Sequence, residues 1–274
     1  MSMEGVYSVD SRGTRLHPAL LRGAASLLLF LVLGAWGGGA QENPPTAPPK
    51  IDPKAQALLD RAIQALGGPA FLAFKTMTTR GRVYSIAEGA TAGMATFESA
   101  VQYPDKRRYR LGDKGPVLLV NDGDRAWELD RMGRTFQLPR QIRRWKLTVL
   151  YGLENLLRLR IHEPGTLIQA GGTDFVDNVP AQVIDIFDPQ GTQIRLLLHR
   201  QTYLPVRISY RVQDPKTREW EDYADVYGDY HSFQGIQTPM HVARYLDDER
   251  VSETFRTSAQ YDEVYPADYF GPLG

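Results

Sequence analysis

Residues 182–245 read QVIDIFDPQGTQIRLLLHRQTYLPVRISYRVQDPKTREWEDYADVYGDYHSFQGIQTPMHVARY. Gln182–Phe187, Gln193–His199, Val206–Val212, Trp220–His231 and Pro239–Tyr245 each carry the Val, Ile, Leu and Tyr that favour strands. Between them lie Asp188-Pro189-Gln190-Gly191, Thr202-Tyr203-Leu204-Pro205, Asp214-Pro215-Lys216 and Gln234-Gly235, with Pro and Gly where tight turns want them. Connections this short join neighbouring antiparallel strands, so the stretch predicts a meander inside one large antiparallel sheet. The remaining segments must extend that sheet or cover it.

Upstream the same period-two pattern recurs. Met77, Thr79, Gly81 and Val83 alternate with Thr78, Arg80, Arg82 and Tyr84. Ala95, Phe97, Ser99, Val101 and Tyr103 alternate with Thr96, Glu98, Ala100 and Gln102. Asn121-Asp122-Gly123-Asp124 between Pro116–Val120 and Arg125–Leu129 is a hairpin signal, and Arg134–Leu138 reads as one more short strand. Two stretches have helical spacing instead. Asp52-Pro53 supplies an acidic cap and a Pro at the first helical position; Leu58, Leu59, Ala62, Ile63 and Leu66 follow on one face, and Gly67-Gly68 ends the helix. In Arg140–Arg160 the stripe Ile142, Trp145, Val149, Leu150, Leu153, Leu156 and Leu157 is edged by Arg143, Arg144, Lys146, Arg158 and Arg160, with Gly152 placed to divide it. This basic amphipathic segment reads as a sheet-covering helix with a solvated rim, as a lid over an apolar cavity, or as a surface for anionic lipid.

The amino-terminal part reads as targeting. Arg12, Arg15 and Arg22 precede the apolar run Ala24–Trp36, and Gly37-Gly38-Gly39-Ala40 follows. That pattern predicts a secretory signal over residues 1–40, cleaved near Ala40, and a periplasmic destination. Residues 41–53 then form a Pro-rich linker, and 54–270 a single domain. The 274 residues hold 32 basic and 32 acidic side chains. Past residue 40 the balance is 29 against 30, which gives no global field for nucleic acid. There is no cysteine, so disulfides, thiolate metal sites, a Cys nucleophile and an amino-terminal lipobox are excluded.

Motifs for catalysis are missing. His162, His199, His231 and His241 show no metal-ligand spacing. There is no G-x-S-x-G elbow and no phosphate loop. Asp247-Asp248-Glu249 suits a hairpin tip, and Glu219, Glu221, Asp222 and Asp225 read as a solvated strand face. The sequence therefore predicts no enzyme, no cofactor and no metal.

The order of these elements, with Ala65-Leu66-Gly67-Gly68, Asn121-Asp122-Gly123 before Trp127, Tyr203-Leu204-Pro205-Val206, Asp229-Tyr230, Gly235-Ile236 and Thr238-Pro239, resembles the LolA/LolB-like outer-membrane lipoprotein carrier superfamily across most of residues 54–270. The resemblance implies a mainly β fold with α: a strongly curved antiparallel sheet forming an incomplete barrel, covered by the amino-terminal helix and the mid-chain helical insertion. It implies a non-enzymatic periplasmic carrier or sensor that binds a lipoprotein acyl chain or another apolar ligand. The alternative it leaves is an envelope protein-interaction or regulatory module with no lipid cargo. The family's cargo-contacting arginine falls among Arg80, Arg82, Arg107 and Arg110. Phe97, Val101, Trp127, Leu129, Trp145 and Leu150 are the candidates for cavity lining or lid. Burial of an acyl chain at about 25 cal/mol per Å² would supply the affinity.

Overall fold

The structure is a computed structural model that describes residues 47–271; the signal segment, with its cleavage point, and the first six residues of the Pro-rich stretch lie outside the described residues. The elements run β1 (Lys50–Ile51), α1 (Pro53–Leu66), α2 (Pro69–Ala73), β2 (Thr76–Ala87), β3 (Ala90–Gln102), β4 (Lys106–Leu111), β5 (Val117–Asp122), β6 (Arg125–Asp130), β7 (Gly133–Phe136), α3 (Pro139–Tyr151) and α4 (Leu153–Arg158). After a 3-10 turn at Arg160–His162 come β8 (Leu167–Val176), β9 (Val179–Phe187), β10 (Gln193–His199), β11 (Pro205–Gln213), β12 (Trp220–Phe233), β13 (Ile236–Leu246) and β14 (Glu249–Tyr261).

All the strands belong to one 14-stranded sheet in the order β1-β8-β9-β10-β11-β12-β13-β14-β2-β3-β4-β5-β6-β7. Two meanders, β8–β14 and β2–β7, are joined along the antiparallel seam β14–β2. The sheet is not closed: β1 and β7 are its edges. Every pair is antiparallel except β1 with β8. Lys50-Ile51, read in the sequence as the end of a linker, is thus a docked edge strand.

Curvature follows from what the helices touch. Tyr151 donates a hydrogen bond to Asp188 in the β9–β10 turn (3.0 Å). Asn155 donates to the Pro104 carbonyl in the β3–β4 turn (2.7 Å). At about 4.8 Å per strand, those two turns would stand at least roughly 34 Å apart on a flat sheet. Tyr151 and Asn155 span at most about 14 Å of chain, so the sheet curls around the helices as an open half-barrel.

Strand parity then assigns the faces. The concave side packs Ile184 and Ile186 of β9, Ile194, Leu196 and Leu198 of β10, Ile208 of β11, Tyr227 of β12 and Tyr261 of β14 against Leu59 and Leu66 of α1, Phe71 of α2, and Leu156 and Leu157 of α4. The convex side holds a small cluster, Val176, Ala181, Val183 and Leu197. Residues beyond Tyr261 cross the convex side of the other meander. There Thr76 Oγ1 donates to the Glu263 carbonyl (2.8 Å), Thr78 meets Glu263 and Tyr265, and the Tyr265 and Tyr269 rings stack at 4.5 Å.

The local signals explain the helices. Asp52 accepts from the Ala55 amide (3.1 Å), Pro53 starts α1, and Gly67 ends it at φ 128°. A side chain at Gly67 would stand 2.5 Å from the Gly235 carbonyl oxygen, so conformation and space both require glycine there. Gly152 divides the mid-chain segment: its backbone is extended (φ −64°, ψ 147°) between α3 and α4. An added Cβ would lie 2.5 Å from the Thr148 carbonyl oxygen.

Candidate functional site

The candidate site is the part of the concave face under α3, built from the strands upward. Phe97, Ser99 and Val101 of β3 face the same way as Met77 and Thr79 of β2, and pair across to Leu111, Tyr109 and Arg107 of β4. The Phe97 and Tyr109 rings stack at 5.6 Å. The Arg107 guanidinium lies over Tyr109 at 5.3 Å and over Trp145 of α3 at 4.5 Å. Arg107 also donates to Asn121 Oδ1 (3.1 Å), and Asn121 donates to Gln137 Oε1 (3.1 Å). Asn121, fully buried, thus ties the β5–β6 hairpin to the segment entering α3. A planar cation held between two rings can contribute about 0.5–2 kcal/mol per contact.

α3 lies across this floor with Trp145, Leu147 and Tyr151 buried beneath it. Its other attachments are polar and at the rim. Arg143 pairs with Glu221 and Asp214 at the β11–β12 end. Lys146 reaches Asp124 in the β5–β6 turn (2.5 Å), and Gln141 donates to Glu128 (3.3 Å). The Lys146–Asp124 pair is exposed and exchanges for water at little cost, while the Arg143 pairs are half-buried. α4 is held differently, through Leu156 and Leu157 at 0 % exposure.

The sequence candidates divide between the two faces. Phe97, Val101 and Trp145 lie on the concave side, and Leu150 packs against the main core. Trp127 and Leu129 pair with Val120 and Leu118, in register with Arg108 and Arg110 of β4, and so face the convex side. Of the four candidate arginines, Arg107 faces the concave floor, while Arg80, Arg82 and Arg110 point to the convex side.

Sequence reading missed the acidic half of the floor. Glu219 and Asp222 are exposed, as a solvated face requires. Glu221 instead binds Arg143, and Asp225 takes two hydrogen bonds from Arg244 (2.8 and 2.9 Å). Asp225 raises the Arg244 pKa against the lowering effect of burial. Burial pushes the Tyr227 and Tyr230 phenols well above their ordinary pKa, so these rings present neutral hydroxyls. Arg158 covers Phe74 at 4.0 Å, and desolvation lowers its pKa. The signal for the pair is the recurrence of Asp225 and Arg244 at interior parity between Tyr223, Tyr227 and Val242. Among the described residues, no group of His, Asp and Glu is placed to hold a metal ion, and no helix is long and apolar enough to cross a membrane.

No protein-family model and no curated protein matches the sequence. Solved structures do match. A DUF1329 family protein from Desulfovibrio piger overlays with a TM-score of 0.51 at 11% identity, covering 79% of this chain and 96% of its own. A LolA superfamily protein from Nitrosomonas europaea gives 0.49 at 11% identity, over 80% and 97%. A putative outer membrane lipoprotein-sorting protein domain from Vibrio parahaemolyticus gives 0.49 at 9% identity, over 79% and 97%. At 11% identity the overlay on the DUF1329 structure is a likeness of fold alone: a mainly β, open half-barrel with helices on its concave side.

Proposed function

We propose that the chain is a non-enzymatic envelope carrier or sensor that holds an acyl chain, of a lipoprotein or another lipid, against the concave face, with α3 as the movable cover. One observation supports the reading: α3 is fastened at its rim by ion pairs while its buried Trp145 caps Arg107, which lies over Tyr109 beside Phe97 on the floor. Lifting it exposes apolar surface that an acyl chain can take over, at about 25 cal/mol per Å². In this reading Phe97, Val101, Trp145 and Leu150 meet the ligand, and Arg107 positions the two rings that flank it. A secretory signal over residues 1–40 would deliver the protein to the periplasm. No cofactor is needed. Native mass spectrometry of protein purified from its own envelope, followed by solvent extraction, tests this. A mass excess that extracts as lipid supports the carrier; an unmodified mass that persists after incubation with lipid refutes it.

A second reading, an envelope protein-interaction module, is favoured by the edge strand β7. Among the described residues its outer side pairs with no strand, and Met132, Phe136 and Leu138 around it are exposed. An extended segment of a partner could add there as a further strand. Co-purification of a partner that survives detergent, with no lipid bound, would support this reading.

A further inference from the structure

The convex face carries a second feature that the carrier reading leaves unused. Register places Arg80, Glu98, Arg110, Leu118 and Leu129 in one row across β2, β3, β4, β5 and β6. The row is charged up to Arg110 and apolar beyond it. Two hollows open along it and share Glu98 and Arg110. The first, about 270 Å³, lies between Arg108 and Arg110 on one side and Pro116, Leu118 and Leu129 on the other, beside Tyr269 of the tail. The second, about 450 Å³, is lined by Arg80, Arg82, Arg110, Thr96 and Asp113 among others.

The charges there are unequally used. Arg80 is spent on Glu98 at 2.7 Å. Arg108 donates to the Tyr269 carbonyl (3.0 Å) and lies over its ring at 4.6 Å. Asp113 accepts from Thr96 Oγ1 (2.8 Å). Arg82 and Arg110 are exposed, and among the described residues neither side chain has a hydrogen bond, ion pair or ring contact. They stand on β2 and β4, either side of Thr96 and Glu98 on β3. That puts their Cα atoms roughly 12 Å apart, two strands across and two residues along, within the combined reach of two guanidinium groups.

We propose that this trough is a separate binding site for an amphiphilic anion, a phosphate or carboxylate head on a short apolar body. The head sits between Arg82 and Arg110, where planar guanidinium groups suit the two-oxygen face of either acid. The body runs across the strands over Leu118 and Leu129, roughly 10 Å from Arg110 to Leu129 at the spacing of neighbouring strands. Pro116 and Tyr269 form its side walls. The Arg108–Tyr269 contact fixes the tail as one wall, so the site depends on residues beyond β14.

The test uses the full protein, backbone amide NMR and three probes: hexyl phosphate, inorganic phosphate and hexanol. Hexyl phosphate is expected to shift amides around Arg110, Leu129 and Tyr269, and to bind at least about tenfold more tightly than either fragment. The double variant Arg82→Ala/Arg110→Ala loses two charge-assisted contacts and is expected to weaken hexyl phosphate by at least about tenfold. Because neither side chain has a structural partner, this variant should fold as the parent does. Inorganic phosphate binding as tightly as hexyl phosphate would make the site one for free anions and overturn the amphiphile. Shifts confined to Tyr109 and Trp145, an undiminished affinity in the double variant, or no shifts at all would overturn the site itself. Shifts at Tyr109 and Trp145 would report binding at the concave floor; the other outcomes leave the concave face untouched.

Discussion

Replacing Trp145 by alanine separates a cover from a core helix. Trp145 is 5 % exposed, and truncating a buried Trp costs about 3–5 kcal/mol. Its Nε1 atom is buried without a hydrogen-bond partner, so its removal orphans no acceptor. What is lost is ring burial and the face that Arg107 covers at 4.5 Å. With about 3 kcal/mol taken from α3 docking, the opening equilibrium of α3 rises by roughly a hundredfold. Native-state hydrogen exchange reads this directly. Amides of residues 142–151 should lose about two decades of protection, while those of β9 and β10, under α1 and α4, keep theirs. Leu156→Ala in α4 is the control: at 0 % exposure, it should lower protection everywhere by about 2–5 kcal/mol. If Trp145→Ala lowers protection in β9 and β10 as much as in α3, then α3 is one cooperative unit with the core, and the movable cover is refuted.

Other outcomes follow from single contacts. Gly67→Ala should cost at least about 1–2 kcal/mol in chemical denaturation, because strain at φ 128° adds to a 2.5 Å approach to Gly235. Gly191→Ala, with φ 83° and open space, should cost only about 1 kcal/mol. Arg244→Met leaves Asp225 facing the concave floor without its two hydrogen bonds; a loss of about 1–3 kcal/mol is expected, and Asp225→Asn in that background should recover part of it. Burial pushes the Tyr151 and Tyr261 phenols up to about 12. Below the unfolded phenol pKa of about 10, both states are protonated and the stability is fully present. As pH rises from there towards 12 only the unfolded chain ionises, so stability falls across that window. Ultraviolet titration of the folded protein should show these two rings ionising late, and an ordinary titration of both would refute their burial.

Much of the fold was legible because its signals are local. Asp52-Pro53 fixed where α1 begins, Asn121-Asp122-Gly123-Asp124 formed the β5–β6 turn, and Gly152 divided the mid-chain helix. The seam between β14 and β2 was not legible: no short-range residue pattern names a partner so far away in the chain. Alternation within a strand gives relative facing only, and a turn of uncertain length loses the absolute parity. For that reason Trp127 and Leu129 were grouped with Phe97, although they face the other way. It is also why Asp225 was read as solvated: a charge at interior parity looks like a surface charge until its partner Arg244 is known.

The seam has a consequence for biosynthesis. The β2–β7 meander is complete in the nascent chain long before β14 emerges, and one side of β2 then offers twelve residues of unmatched backbone. At about 5–20 residues per second, that edge waits on the order of ten seconds or more for its mate. Exposed edges template wrong pairings, so the long solitary interval of β2 is the point at which a ribosome-side or translocon-side chaperone would have the most to protect.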